Sequence, residues 1–472
     1  MSTHPASADG PGPGPASSPG SGPASGPGSG AASSPGSGPA SDEAEGRVRW
    51  RSVGPGLVVA ATGIGAGDLV ATLVAGSRFG YTLLWAVVVG CAIRIAFAEG
   101  AARWHLATGR TLFDGWRSLG SWTLYYFGGY ALLWGFVYGA TAMSAAALPL
   151  AALFPDTVDF KVWGVGTALL GLVFVWFNRY RVVERVMTVL IGTMFVVVVV
   201  LAVRVVPDAG AAFAGLWPSI PDGSVVYTLG VVGGVGGTIT MAAYGYWVNA
   251  KGWDTPGWMR MMRLDNATAY VTTAVFTIAM IIVGAELLQA TQATLDGSRG
   301  LLDVGTELER RFDPFTADLF LVGFFATSFS SLVGVWHGVS LLFSDYTAHL
   351  GGAAGRWAGG RAGRGAAGDV GGARAVASGA RERSPAFRFY LLWLTFPPIV
   401  LLFLDRPFAL VIGYGVLGAL FLPFLAGTLL VLLNRRDMPA PWRSGPLSNT
   451  MLVLAAALFV VLCVEQIRAL PW

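Results

Sequence analysis

Long apolar runs separated by short polar stretches make up most of the chain from about residue 56 onward. A helix needs roughly 17–25 mostly apolar residues to cross the hydrocarbon core of a bilayer. Runs of that length predict eleven membrane spans, at residues 56–78, 81–102, 122–150, 161–178, 183–205, 226–249, 267–290, 316–344, 387–404, 407–433 and 448–468. The separation of the ninth and tenth spans around Asp405 and Arg406 is weak, so ten spans is the alternative. The pattern predicts an all-α polytopic membrane protein.

Composition supports a membrane protein and argues against other classes. Only 12% of the 472 residues are charged and 54% are hydrophobic, whereas soluble domains carry about 25% charged residues. The net charge of +4 does not indicate a nucleic-acid partner, because the basic residues are scattered between apolar runs. Cys91 and Cys463 lie inside such runs, so neither a disulfide framework nor a thiolate metal site is predicted.

Two segments have too little apolar character to form a core. Residues 1–46 are rich in Gly, Pro, Ser and Ala, which predicts a disordered tail. The tail lacks the basic start and apolar run of a signal peptide. Residues 351–384 read as a flexible basic loop between two spans. The rest of 47–472 is predicted to form one membrane domain.

The basic residues between the spans predict the orientation. Of the 31 Lys and Arg residues, 22 fall on the side of the tail and 8 on the opposite side, while Arg94 lies within a span. Cytoplasmic loops carry the excess of Lys and Arg in membrane proteins. We therefore expect a multi-pass protein of the cytoplasmic membrane with a cytoplasmic N-terminus.

Glycine clusters interrupt the first and sixth spans. The first contains "TGIGAGDL" and the sixth "GVVGGVGGTITM". Each glycine weakens a helix by about 1 kcal/mol relative to alanine. Interrupted spans in corresponding places of two halves indicate a transporter binding site, although such glycines also allow close helix packing. Asp68 lies beside the first cluster, and a carboxylate within a span is a functional candidate by default. Its alternative role is a buried hydrogen bond.

Several segments resemble the Nramp family (natural resistance-associated macrophage proteins). "GPGLVVAATGIGAGDLVATLVAGSRFGYTLLWAVVVG" and "AARWHLATGRTL" are similar to its first two helices. "GLWPSIPDGSVVYTLGVVGGVGGTITMAAYGYWVNA", "ATSFSSLVGVWHG" and "LFLPFLAGTLLVLLN" resemble its sixth, eighth and tenth. The resemblance implies a divalent-metal transporter with a LeuT-type inverted repeat and discontinuous helices 1 and 6.

The chain departs from the family's two metal-site motifs. The first-helix motif, Asp-Pro-Gly-Asn, is replaced by Gly-Ala-Gly-Asp at 65–68, so the carboxylate stands where the asparagine would be. The sixth-helix motif, Met-Pro-His, is replaced by Met-Ala-Ala at 241–243. A second family histidine falls on Val248. The chain therefore keeps one carboxylate and one thioether, with one donor fewer.

The resemblance and the breaks together suggest a ligand set. Asp68 and Met241 are the predicted metal ligands, with backbone carbonyls near Gly65 and Gly237 as further ligands. Positions three apart share a helix face, so Asp68 is expected to face the cavity from about one turn away from the motif aspartate. Packing within the span is the alternative role for Met241.

Further ionisable residues lie within the predicted spans. We expect Arg94 and Glu99 to pair structurally, although they are five residues apart. Glu286 lies near the outer end of its span, where its side chain can reach water. His337 either titrates near neutral pH or is packed and hydrogen-bonded. The third span has no acidic residue, unlike the family's proton route, so proton coupling stays open.

The leading hypothesis is a secondary active transporter that moves Mn²⁺, Fe²⁺ or Mg²⁺ by alternating access. One alternative is an organic or monovalent substrate held by Tyr244, Tyr246 and Trp247. Another is a non-transporting membrane sensor. No enzyme is predicted, because "GVGG" at 234–237 lacks the strand–turn–helix setting of a nucleotide loop. We expect a monomer in the lipid bilayer without a cofactor, whose partner is a metal ion or small-molecule substrate.

Overall fold

A computed structural model describes residues 64–177, 180–205, 207–234, 237–289, 300–350 and 382–468. All regular secondary structure in these ranges is helical. The helices are α1 (Ala66–Phe79), α2 (Leu84–Thr108), α3 (Leu112–Leu119), α4 (Ser121–Leu153), α5 (Phe160–Phe177), α6 (Tyr180–Arg204), α7 (Ala209–Ala214), α8 (Val225–Gly234), α9 (Thr240–Ala250), α10 (Met259–Gly284), α11 (Gly300–Arg311), α12 (Pro314–Leu350), α13 (Pro385–Thr395), α14 (Ile399–Leu402), α15 (Pro407–Asn434) and α16 (Pro446–Arg468). The predicted tail, 1–46, and residues 351–381 of the predicted loop lie outside the described residues.

These helices account for all eleven predicted spans. Within the described residues, seven helical stretches are long and apolar enough to cross a membrane, and they include α2, α4, α5, α10, α12, α13 with α14, and α15. Three shorter apolar helices lie in α1, α6 and α16. The sixth predicted span is present as two helices, α8 and α9. Residues 56–63 of the first span are not among the described residues.

The ninth and tenth spans are separate, so the ten-span alternative is wrong. α14 ends at Leu402, and α15 begins at Pro407. Between them Asp405 has a φ of 53°, a left-handed conformation that interrupts a helix. The Asp405 carboxylate lies 3.0 Å from the Nζ of Lys161, at the start of α5. The two spans are therefore separated by a non-helical turn.

The sequence pattern missed the short amphipathic helices between spans. In α3, Thr111 accepts a hydrogen bond from the backbone N–H of Asp114, and Asp114 accepts one from the N–H of Thr111. This reciprocal capping box stabilises the first turn of a helix. The pattern Thr-x-x-Asp was visible in the sequence, but eight residues are too few for a spanning helix. α11 lies between two predicted spans and is likewise too short to cross a membrane.

α1 and α10 pack with their backbones in contact. A Cβ at Gly76 would lie 2.3 Å from the carbonyl oxygen of Ile281, and a Cβ at Gly284 would lie 2.6 Å from that of Leu73. Small residues at facing positions let membrane helices approach this closely. A π-helical turn, Ala285–Gln289, follows α10 directly and carries Glu286.

Candidate functional site

The sixth span is interrupted where its glycines predicted. α8 runs to Gly234, α9 begins at Thr240, and Gly237 between them has a φ of 81°. Only glycine adopts this left-handed conformation without strain. The indole N–H of Trp134 donates a hydrogen bond of 3.1 Å to the hydroxyl of Thr238, which ties the interruption to α4. The predicted break in the sixth span is confirmed.

A fully buried arginine from α2 binds the backbone of this break. Nε of Arg94 donates to the carbonyl of Gly237 at 3.0 Å, Nη1 donates to that of Val232 at 2.6 Å, and Nη2 donates to that of Gly233 at 2.8 Å. Nη1 also lies 3.3 Å from the carbonyl of Gly90 in its own helix. The side chain is 0% exposed. One guanidinium therefore connects α2 with both sides of the break.

The predicted pairing of Arg94 with Glu99 is wrong. Glu99 forms ion pairs with Arg103, one helical turn further along α2, and with Arg263 of α10, 3.0 Å away. Positions i and i+4 face each other on a helix, whereas i and i+5 do not. Glu99 therefore meets Arg103, while Arg94 points towards the break.

Gly65 lies at the start of α1 in direct contact with α12. A Cβ at this position would lie 2.0 Å from Oγ and 2.4 Å from Cβ of Ser331. Ser331 in turn lies 3.3 Å from the hydroxyl of Tyr138 in α4. The carbonyl of Gly65, predicted as a substrate ligand, accepts the first hydrogen bond of the helix from the N–H of Leu69. Its predicted role as a substrate ligand stays a prediction.

Asp68 is the third residue of α1, but its side chain is outside the described part of the structure. Its predicted role as a metal ligand therefore stays a prediction. Among the described side chains, no group of three or more His, Cys, Asp or Glu residues is placed to hold a metal ion.

Met241 and Tyr244 lie one turn apart on α9, and both are fully buried. Met241 follows the break directly, as predicted for a ligand. Tyr244, however, donates its hydroxyl hydrogen bond to Oδ2 of Asp265 in α10 at 2.8 Å and lies 3.3 Å from the carbonyl of Met262. The Tyr244 hydroxyl is thus used in a helix–helix contact.

A polar network joins three helices at the predicted cytoplasmic end. Tyr246 of α9 donates to Asp345 of α12, and Nδ1 of His349 lies 2.7 Å from the carbonyl of Asp345. Nε2 of His349 lies 3.0 Å from Oδ1 of Asp114 in α3. Burial acts to raise the pKa of the Asp114 carboxyl, but hydrogen bonds from His349 and the N–H of Thr111 outweigh it and lower that pKa. The network fixes α3 and α9 to the end of α12.

A small cavity opens beside this network, between α9 and the end of α2. Ala242, Gly245, Tyr246 and Asn249 line it from α9, at the spacing of one helix face. His105 lines it from α2. The cavity begins one residue after Met241 and extends along α9 towards the predicted cytoplasmic end.

The two remaining ionisable candidates are both held by polar partners. Glu286 accepts a hydrogen bond of 2.6 Å from the hydroxyl of Tyr81, so it does more than reach towards water. His337 is buried, and its Nε2 lies 3.3 Å from Oε1 of Glu382. Of its two predicted roles, the structure shows the packed and hydrogen-bonded one.

Two buried carboxylates were missed in the sequence. Asp265 and Asp345 are 0% and 2% exposed, within "MRLDNAT" and "LLFSDYT". Both lie just outside the predicted spans, so the search for ionisable residues inside apolar runs did not include them. A carboxylate one or two residues from such a run was the available signal.

The comparisons with known proteins agree with this architecture. The family model described as natural resistance-associated macrophage protein-like matches residues 56–468. The chain belongs to the Nramp family. A Nramp relative, the "Divalent metal cation transporter MntH" of Chromohalobacter salexigens, is 28% identical over 273 residues, which are 54% of this chain and 59% of that protein. The match thus spans less than two-thirds of that relative's length.

Solved structures share the fold of this Nramp chain. The Eremococcus coleocola manganese transporter, bound to an aromatic bis-isothiourea compound, aligns with a TM-score of 0.68 at 16% identity, over 88% of this chain and 86% of that one. MhsT in complex with L-phenylalanine aligns with a TM-score of 0.53 at 15% identity, over 87% and 97%. The fold class predicted from the sequence, a LeuT-type arrangement with discontinuous helices, is confirmed.

Within the Nramp family, the loss of the first-helix motif aspartate has a structural counterpart. By the motif resemblance Gly65 stands at the position of this aspartate, and the space for a side chain there is filled by Ser331. An aspartate at this position would collide with α12. Glycine at position 65 is therefore the residue that fits beside Ser331 of α12.

Proposed function

We propose that this chain is a secondary active transporter that moves a divalent metal cation across the cytoplasmic membrane by alternating access. Family membership supports a divalent-metal substrate, and the observation that carries the proposal is the interrupted sixth span with buried Met241 directly after it. Interrupted spans place unwound backbone and side-chain donors at the centre of the membrane, where substrate binds.

In this proposal Asp68 and Met241 are the side-chain ligands, and the carbonyl near Gly65 assists. The carbonyl of Gly237, also predicted as a ligand, accepts a hydrogen bond of 3.0 Å from Nε of Arg94. The carboxylate suits Mn²⁺, Fe²⁺ and Mg²⁺ alike, whereas the soft thioether favours the transition metals. Met241 would therefore set the preference for Mn²⁺ over Mg²⁺. The N-terminus would face the cytoplasm, and the metal ion is the substrate rather than a resident cofactor.

The test is metal uptake into liposomes containing the purified full-length protein. Asp68→Ala should abolish Mn²⁺ and Mg²⁺ entry, because the site then has no carboxylate. Met241→Ala should retain Mg²⁺ entry while losing preference for Mn²⁺. Met194→Ala is the matched control, because Met194 is equally buried but lies on α6 with its sulfur against Gly323 of α12. Failure of the wild type to carry either ion would contradict the proposal.

A second candidate function is transport of an organic or monovalent substrate in the same fold. The contacts of Arg94 favour it, because a fixed positive charge at the break disfavours a second, doubly charged cation. The same liposomes, tested with monovalent cations and small zwitterions, distinguish the two functions. Uptake of none of these by correctly folded protein would favour a non-transporting membrane sensor.

A further inference from the structure

The buried guanidinium of Arg94 is the least expected charge in the molecule. It lies on the eleventh residue of α2, a 25-residue span, and is 0% exposed. A charged group within the membrane is costly and is retained where it has a structural or functional partner. Its partners include three backbone carbonyls of the sixth-span break and the carbonyl of Gly90 in its own helix.

The local backbone explains why these carbonyls are available. In a continuous helix the carbonyl of Gly237 would accept from the N–H of Met241, four residues on. Here the Met241 N–H instead donates to the carbonyl of Thr238 at 3.2 Å. The Gly237 carbonyl thus has no helical donor from Met241, and Nε of Arg94 binds it at 3.0 Å.

Carbonyls released by an unwound helix are the groups that coordinate cations in transporters with discontinuous spans. In this chain a side-chain cation already binds them. The guanidinium is planar and carries its donors in a fixed fork, which suits three carbonyls that belong to two sides of one break. Arg94 therefore occupies the chemical position of a bound cation.

We propose that Arg94 is a specificity-determining residue of the transport site, a tethered cation that takes the carbonyls of the break and weakens the binding of divalent metal there. The proposal rests on the proposed function, in which substrate binds beside this break. Coulomb repulsion scales with the product of the charges, so the fixed positive charge disfavours a divalent ion twice as strongly as a monovalent ion. The same side chain also withholds carbonyl ligands from a metal.

The experiment measures Mn²⁺ binding to the purified full-length protein by titration calorimetry, which does not require transport. In Arg94→Met the apparent Kd for Mn²⁺ should fall by about tenfold or more, because the charge is removed and the carbonyls are released. Arg94→Lys keeps the charge and should stay close to the wild type. Both variants lose the native guanidinium contacts, but only Arg94→Met loses the positive charge. The difference between their Kd values for Mn²⁺ therefore measures the effect of the charge.

Arg103→Met is the matched control on the same helix. Arg103 is also buried but pairs with Glu99, more than two turns from Arg94. Its loss should lower stability and leave Mn²⁺ affinity unchanged. If Arg94→Met is not monodisperse, Arg94→Gln removes the charge while keeping an N–H donor, and a smaller gain in affinity is expected.

The outcomes separate this proposal from the proposed function. A folded, neutral Arg94 variant that binds Mn²⁺ no more tightly than the wild type overturns the role of Arg94, whatever the wild type transports. A neutral variant that gains Mn²⁺ binding, in a protein whose wild type carries no divalent metal, supports the role of Arg94 and contradicts the proposed function. Equal affinity gains in the Arg94→Lys and Arg94→Met variants would also overturn it.

Discussion

The contact between Gly65 and Ser331 makes a sharp prediction about the start of α1. Substitution Gly65→Ala places a Cβ 2.0 Å from Oγ and 2.4 Å from Cβ of Ser331. Ser331 is 3% exposed, so α1 or α12 must move. Overpacking of this kind costs about 1–3 kcal/mol, and separations this short suggest the upper end.

A second substitution at Ser331 should relieve the clash that Gly65→Ala creates. With Ser331→Gly the nearest Ser331 atom to the new Cβ is Cα, at 3.8 Å, which is an ordinary contact. With Ser331→Ala the Cβ at 2.4 Å remains. Both serine substitutions remove the Oγ that contacts Tyr138, so they form a matched pair. Glycine within a helix itself costs about 1 kcal/mol.

The assay is the thermal unfolding midpoint of the detergent-purified protein, followed by intrinsic tryptophan fluorescence. Gly65→Ala should lower Tm by about 1–3 °C, since about 1 kcal/mol corresponds to roughly 2–4 °C at 150–250 residues and to about 1 °C in a chain of this length. Adding Ser331→Gly should return Tm close to that of Ser331→Gly alone. Equal rescue by Ser331→Ala, or none by Ser331→Gly, would refute the steric reasoning.

Two further predictions concern Tyr244 and Asp114. Tyr244→Phe removes the hydrogen bond to Asp265 and should lower the free energy of unfolding by about 1–2 kcal/mol without changing the KM for Mn²⁺; a large change in KM would restore Tyr244 to the substrate site. Asp114→Asn removes a carboxylate whose pKa is lowered in the fold by His349, so its stabilisation is present above the unfolded pKa of about 4 and lost as pH falls through the folded pKa. The stability difference from the wild type should therefore be at most about 1 kcal/mol at pH 7, should begin to shrink near pH 4 and should vanish below the folded pKa; a difference that persists below the folded pKa would contradict the assignment.

The spans and the sixth-span break were predictable because both depend on local composition. The lengths of the apolar runs predict where the spanning helices lie. The glycine cluster that ends at Gly237 predicts where the sixth span is interrupted. The positive φ of that residue is a property that only glycine supplies easily. Predicting these features does not require knowing which helices pack against each other.

The partners of the charged side chains were not predictable in the same way. Arg94 and Gly237 are 143 residues apart in the chain, and no periodic pattern connects them. Tyr244 was assigned to a substrate cavity by its place on the sixth span, but the partner of its hydroxyl, Asp265, lies on α10. Such pairings depend on helix packing, which hydrophobic periodicity does not specify.

The backbone contact between Gly76 and Gly284 limits how α1 and α10 can move. With carbonyl oxygens only 2.3–2.6 Å from the positions of added Cβ atoms, α1 and α10 have no side-chain layer between them on which to slide. The two helices should therefore shift as a single body when the binding site changes its access. Spin labels placed on α1 and α10 would then keep one separation in every ligand condition and provide a fixed reference frame for distances measured to the other helices.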